Sequence, residues 1–228
     1  MENGCLICGT ELEYFDSERE MVCSVCGRKS MSRACCPKGH YVCDACHTRG
    51  MDTVVSICLK ETSRNPLKIL DILMSQEFCH MHGPEHHVLV GASLLTAYRN
   101  AGGDIDLESA LKEIVSRGGS VPGGVCGFWG ACGAGISSGM FVSIVTESTP
   151  LAGEAWGKSN RMTSLALSNI SQYGGPRCCK RDSYTAVLTA IDFCRENLGV
   201  VMESSPVHCV YSEKNRQCLG DRCPYHVR

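Results

Sequence analysis

The sequence carries almost no excess of either charge. Its 22 lysines and arginines stand against 24 aspartates and glutamates, a formal net charge of −2 over 228 residues. That balance leaves no electrostatic footprint for nucleic acid or for an anionic membrane surface. The first residues, MENGCLICG, lack the basic region and apolar run of a signal peptide. There is no Ser-His-Asp order, no phosphate loop and no dinucleotide fingerprint, so the common signatures of acyl, phosphoryl and hydride transfer are missing. A single uncharged stretch, residues 118–146, is long enough to span a bilayer. It holds nine glycines and four serines and has neither basic flanks nor an aromatic belt, so it reads as a buried helix of small residues.

What the chain has in abundance is cysteine, eighteen residues of it. With no signal peptide, CxxC pairs and interspersed histidines favour metal ligation in a reducing cytoplasm over a disulfide scaffold. Hydrophobic residues make up 43 % of the chain, enough for a core, and the length suits one domain with an appendage or two small domains.

The N-terminal cysteines are spaced as metal ligands. Cys5-Leu-Ile-Cys8-Gly9 and Cys23-Ser-Val-Cys26-Gly27 are knuckles whose glycine permits the positive φ of the turn. Cys36, His40, Cys43 and Cys46 follow, completing ligands for two closed tetrahedral zinc ions. A sequential pairing puts Cys5, Cys8, Cys23 and Cys26 on one ion. A crossed pairing joins Cys23 and Cys26 to Cys43 and Cys46, leaving Cys5, Cys8, Cys36 and His40 for the other. A helix opening at Cys43 and running to about Lys60, behind a hairpin, resembles a treble clef and favours the crossed order. So short a segment cannot bury enough apolar surface alone, and metal would supply its folding energy.

From Asn65 onward the periodicity is helical. Asn65 caps a helix with Pro66 in first position, running to Met74. Further helices are expected over His86–Asn100, from an Asp106 cap to about Arg117, and over 130–145, 159–173 and 181–198. The expected fold is mainly α: a zinc-bound treble-clef or ribbon module with its linking helix (1–62), an all-α bundle (63–203) and a cysteine-containing tail (204–228).

Three constellations in this body carry chemistry. His80-Met-His82-Gly-Pro-Glu85-His86-His87 is a dense polar run at a helix start, with His86 and His87 the candidate acid–base pair or ligands. Cys126 and Cys132 lie in a glycine-rich segment, where Gly133, Gly135 and Gly139 serve either close helix packing or the approach of a cluster to the backbone. Cys178 and Cys179 follow Arg177 and precede Lys180 and Arg181. These cations lower thiol pKa and offset cluster charge, and the helix dipole does the same for Cys132. Adjacent cysteines form only a strained disulfide ring, so they make better metal clamps than dithiols. Cys126, Cys132, Cys178 and Cys179 are thus the expected ligands of an iron–sulfur cluster, such as [4Fe–4S]. The tail adds Cys209, Cys218 and Cys223-Pro224, which hold a further metal with His208 or His226 or close over the main cluster.

The run from His86 to Ser138, with CGAGISSG and the later Cys178 and Cys179, resembles the redox-active family named for its C-GCAxxG-C-C pattern. The whole chain also resembles an uncharacterised archaeal and bacterial family with an N-terminal double zinc knuckle and an HGPEHH motif. Members of that family resemble companions or fusion partners of radical-SAM and methyltransferase proteins. The resemblance implies a metal-binding redox or accessory protein with two zinc ions and an iron–sulfur cluster, serving such a partner. The alternative is a zinc-only module that recruits a partner enzyme, its helical cysteines acting as small apolar residues.

Overall fold

The computed structural model describes residues 4–227. Its first regular element is a hairpin, β1 (Glu13–Val22) paired antiparallel with β2 (Lys29–Cys35), with a register shift between Tyr14 and Arg19. β1 is largely exposed and β2 half-buried, and neither strand has a fully buried residue to form a hydrophobic face. Cysteine turns hold the ends instead. Gly9 and Gly27 adopt φ of 67° and 71°, and their N–H groups close back on the carbonyls of Cys5 and Cys23 at 2.7 and 2.8 Å.

The single helix expected from Cys43 to Lys60 is divided into α1 (Asp44–His47) and α2 (Thr53–Cys58). The chain turns between them at Gly50, whose φ is 97° and whose missing side chain leaves room for Phe78, with Phe78 Cβ 3.2 Å from where a Cβ would stand. Val54 and Cys58 are buried as the periodicity requires, but over one and a half turns only.

The body is helical. α3 (Pro66–Met74) starts under Asn65, whose side chain accepts from the Leu67 N–H at 2.9 Å. α4 (His86–Asn100) and α5 (Leu107–Gly119) follow, α5 capped by Asp106 through the N–H groups of Glu108 and Ser109. A one-turn α6 (Val125–Phe128) was not anticipated. α7 (Gly133–Val145), α8 (Glu154–Ser171) and α9 (Cys179–Asn197) complete the bundle. α4 is buried almost all round and packs against α3, α5, α7 and α9, which makes it the central helix.

Two glycines of α7, Gly135 and Gly139, face α8. A Cβ at Gly135 would stand 2.8 Å from Leu167 Cδ2, and one at Gly139 would collide with Thr163 Oγ1 and lie 3.1 Å from the Ser159 carbonyl. Close helix packing therefore accounts for both. Among the described residues, no helix is long and apolar enough to cross a membrane.

Candidate metal centres and the cleft between them

The hairpin brings the N-terminal ligands together in the crossed order. Cys5, Cys8, Cys36 and His40 form one group and Cys23, Cys26, Cys43 and Cys46 the other, the ligand atoms of each lying within 4.8 Å of one another. The two groups can each hold a metal ion. Cys8 and Cys36 approach to 3.6 Å, and Cys26 and Cys43 to 3.7 Å. Backbone N–H groups point at the sulfurs: Ile7 at Cys5, Lys38 at Cys36 and Cys43 at Cys23, each at 3.4 Å. Hydrogen bonding to Thr10 draws the Cys8 thiol down to about 6, and the Cys26 contact pushes Cys46 up to about 12. Such sharing of protons among crowded thiols is what a metal replaces when it binds.

The other cysteines do not form one constellation. Cys178 is the extended residue before α9, with φ −140° and ψ 103°, and Cys179 is the first helical residue. Their side chains consequently diverge. Cys179, Cys126 and Cys132 line a cleft of about 820 Å³ between the hairpin module and the bundle. Cys178 instead lines a small cavity on the tail side, together with Cys209, Cys218 and Cys223. The four expected cluster ligands are therefore split three and one between two spaces.

The expected depression of thiol pKa at these helix starts is reversed. Burial, reinforced by the Asp182 carboxylate at 3.8 Å, pushes Cys132 up to about 12. Burial likewise pushes Cys178 up to about 11, and Cys179 well above its ordinary value. Dipole and neighbouring cations are outweighed because the thiols are withdrawn from bulk water, Cys178 buried and Cys132 and Cys179 half-buried. Without a metal they are protonated.

The tail repeats a detail of the knuckles. The N–H of Tyr211 points at Cys209 Sγ and that of Gly220 at Cys218 Sγ, both at 3.4 Å and both two residues on, as at Cys5 and Cys36. Buried Asn215 donates to Cys178 Sγ at 3.5 Å, and its oxygen lies 3.3 Å from His82 Nε2. It thereby fastens the tail to the His80–His87 run.

That run is the polar heart of the molecule. Glu85, fully buried, accepts the His80 N–H at 2.8 Å and lies 3.1 Å from His47 Nδ1 of the knuckle segment. Burial alone would raise its carboxyl, but contacts with His47 and His80 hold it well below the carboxylate range. His86 is sealed beneath at 1 % exposed, its Nδ1 3.1 Å from the Gly83 carbonyl and its Nε2 3.7 Å from Cys79 Sγ. Burial and the Lys180 ammonium drive its pKa down to about 3, so it stays neutral and out of reach of the cleft. His87 does line the cleft, with Nδ1 3.1 Å from the Val121 carbonyl and its ring against Gly133 at the start of α7. Of the two histidines expected to act in acid–base chemistry, only His87 can meet a ligand there.

Sequence reasoning missed Lys180 as a core residue. At 0 % exposed it donates to Cys79 Sγ at 3.0 Å and stands over the Tyr211 ring. It also missed His47, which sits beside the ligand Cys46 and crosses to Glu85; the adjacency to Cys46 was the only signal.

Residues 54–226 match the family described as a family of unknown function (DUF5714). The match begins beyond the knuckle ligands. No curated protein and no solved structure matches the chain. With residues 54–226 of 228 inside that match, the chain belongs to the DUF5714 family.

Proposed function

We propose that this is a metal-binding redox or accessory protein, with zinc in both knuckle groups and an iron–sulfur cluster on the tail side of the bundle. The observation that carries it is that Cys178, Cys209, Cys218 and Cys223 all line one small cavity of about 10 Å³, which a cluster would have to widen. Three of these thiols accept backbone N–H groups, those of Arg181, Tyr211 and Gly220, the arrangement that holds cluster thiolates and tunes their charge. Burial and the neighbouring Cys223 and Cys218 thiols raise Cys209, so a metal group bound there must displace the Cys209 proton.

The spacing supports a cluster over zinc at this place. A single zinc with bonds of about 2.3 Å brings its sulfurs to about 3.8 Å from one another. No three of these four thiols gather as tightly as the knuckle groups do, among the described residues, and a wider ring suits a polynuclear core. Buried Arg181 also lines the cavity, its guanidinium paired with Asp182 at 3.0 Å. In this reading the N-terminal module is a treble clef folded by its zinc ions, and the unpaired thiols belong to a reducing cytoplasm. The cleft, with Cys126, Cys132, Cys179 and His87, receives the substrate or the partner's reacting group. The resemblance to companions of radical-SAM and methyltransferase proteins supports such an enzyme as the partner.

Purification without oxygen is expected to give a brown protein with iron and acid-labile sulfide in equal amounts. A colourless chain after anaerobic reconstitution, holding two zinc ions and no iron, would sink the reading. That result would favour the second one, a zinc module that recruits an enzyme. Its support is the exposed apolar rim of the cleft, where Trp129 is 67 % and Met31 57 % exposed.

A further inference from the structure

Glu85 is fully buried, yet its Oε2 has no hydrogen-bond donor. The same is true of two other buried atoms beside it, His47 Nδ1 and His80 Nδ1. His47 Nδ1 stands 3.1 Å from Oε2 and His80 Nδ1 3.6 Å from Oε1, at ion-pair distance but without hydrogen-bond alignment. A hydrogen-bonded knot would leave none of the three orphaned. Buried polar atoms left unsatisfied are costly, so three together need an explanation.

A cation at their centre satisfies all of them at once. The three ligand atoms lie within 4.8 Å of one another. Bonds of about 2.1 Å from a metal to nitrogen or oxygen place neighbouring donors about 3.0–3.4 Å apart, close to the two separations seen. The fold also clears the space. A Cβ on Gly83 would collide with both Glu85 Oε2 and His47 Cε1, so glycine is the residue that admits this convergence. A second compact group, Cys79, Glu85 and His86, shares the carboxylate but already has its cation, the Lys180 ammonium on Cys79.

We infer that His47, His80 and Glu85 form a third mononuclear metal site, for a divalent first-row transition ion, in the wall of the cleft. Two imidazoles and one carboxylate are the donors such ions take, and three protein ligands leave a position for water or a small ligand. His47 and Gly83 both line the cleft, so the site lies directly behind its wall. His47 follows Cys46 directly, so zinc in the knuckle fixes the backbone that delivers the ligand. The inference is independent of the iron–sulfur reading.

The test is a count of bound metals on the full chain, purified without oxygen, in wild type, Glu85→Gln and His80→Ala. Each variant is expected to hold one equivalent fewer of a divalent ion, with helix content and acid-labile sulfide unchanged. Grown on cobalt, the lost ion should carry no sulfur-to-cobalt charge-transfer band. His80 decides the matter if Glu85→Gln fails to fold, because its side chain is 25 % exposed and its loss opens no deep cavity. Equal metal counts in wild type and folded His80→Ala would overturn the site. So would a lost ion that bears the thiolate band, since that ion belongs to a knuckle.

Discussion

Gly139→Ala sets two effects of opposite sign against each other. In an ordinary helix interior, alanine for glycine adds about 1 kcal/mol of stability. At this position the added methyl would collide with Thr163 Oγ1 and stand 3.1 Å from both Thr163 Cβ and the Ser159 carbonyl. The hydroxyl can rotate away from its 3.3 Å bond to Ser159 O, which loses about 0.5–1.5 kcal/mol. The carbonyl is backbone and yields only if α8 moves, an overpacking cost of about 1–3 kcal/mol. Overpacking wins, and the expected outcome is a net loss of roughly 0.5–3.5 kcal/mol. Urea unfolding followed by far-ultraviolet circular dichroism would measure it, with Thr163→Ala as the second arm of a double-mutant cycle. The two sites touch, so a coupling of at least about 0.5 kcal/mol is expected, with iron content unaffected. A stabilisation of about 1 kcal/mol would refute the packing argument, since that is the value for a glycine with open space beside it. Iron loss at unchanged stability would assign the glycine to a cluster instead.

Two other outcomes are expected. Chelation, or Cys26→Ser, should unfold residues 20–46 while the bundle keeps its helices, because neither hairpin strand has a fully buried residue and little else holds them; retained amide protection there after metal removal would count against it. Acid should weaken the bundle early. His82 and His86 have folded pKa values of about 4 and about 3, below the ordinary 6.5, mainly through burial. As pH falls below 6.5 the unfolded chain takes up protons first, so stability is complete above that value and is lost on the way down to 3–4. At pH 5 the loss is at most about 2 kcal/mol per histidine. A denaturation midpoint independent of pH between 7.5 and 5 would contradict the burial of both rings.

Helices were legible where local chemistry and burial agree. Asn65-Pro66 announces α3, and Asp106 announces α5, because capping is decided within three residues. The break at Gly50 had a local signal in the glycine itself, which takes φ of 97°, while its packing against Phe78, 28 positions on, was not legible. Cys178 and Cys179 read as one clamp because adjacency in sequence suggests adjacency in space, and only the extended conformation before α9 separates them. Basic neighbours and a helix start promise an acidic thiol, but sequence does not reveal depth, and depth raises the pKa of Cys132 instead. Glu85 read only as one member of a polar run at a helix start. Its partners come from His80 and from His47 on another element, so the buried convergence exists only after folding.

The divergence at the start of α9 makes the partition between two thiol-lined spaces one peptide unit thick. Cys178 and Cys179 belong to different compartments but to a single helix register. A slip of α9 by one residue would turn each side chain by about 100° and slide it about 1.5 Å along the axis. Both compartments would lose their shape together. Neither can be retuned by moving this helix without disturbing the other, so their divergence has to be written into the loops: the tail around Asn215 on one side, the glycine-rich turn before α7 on the other.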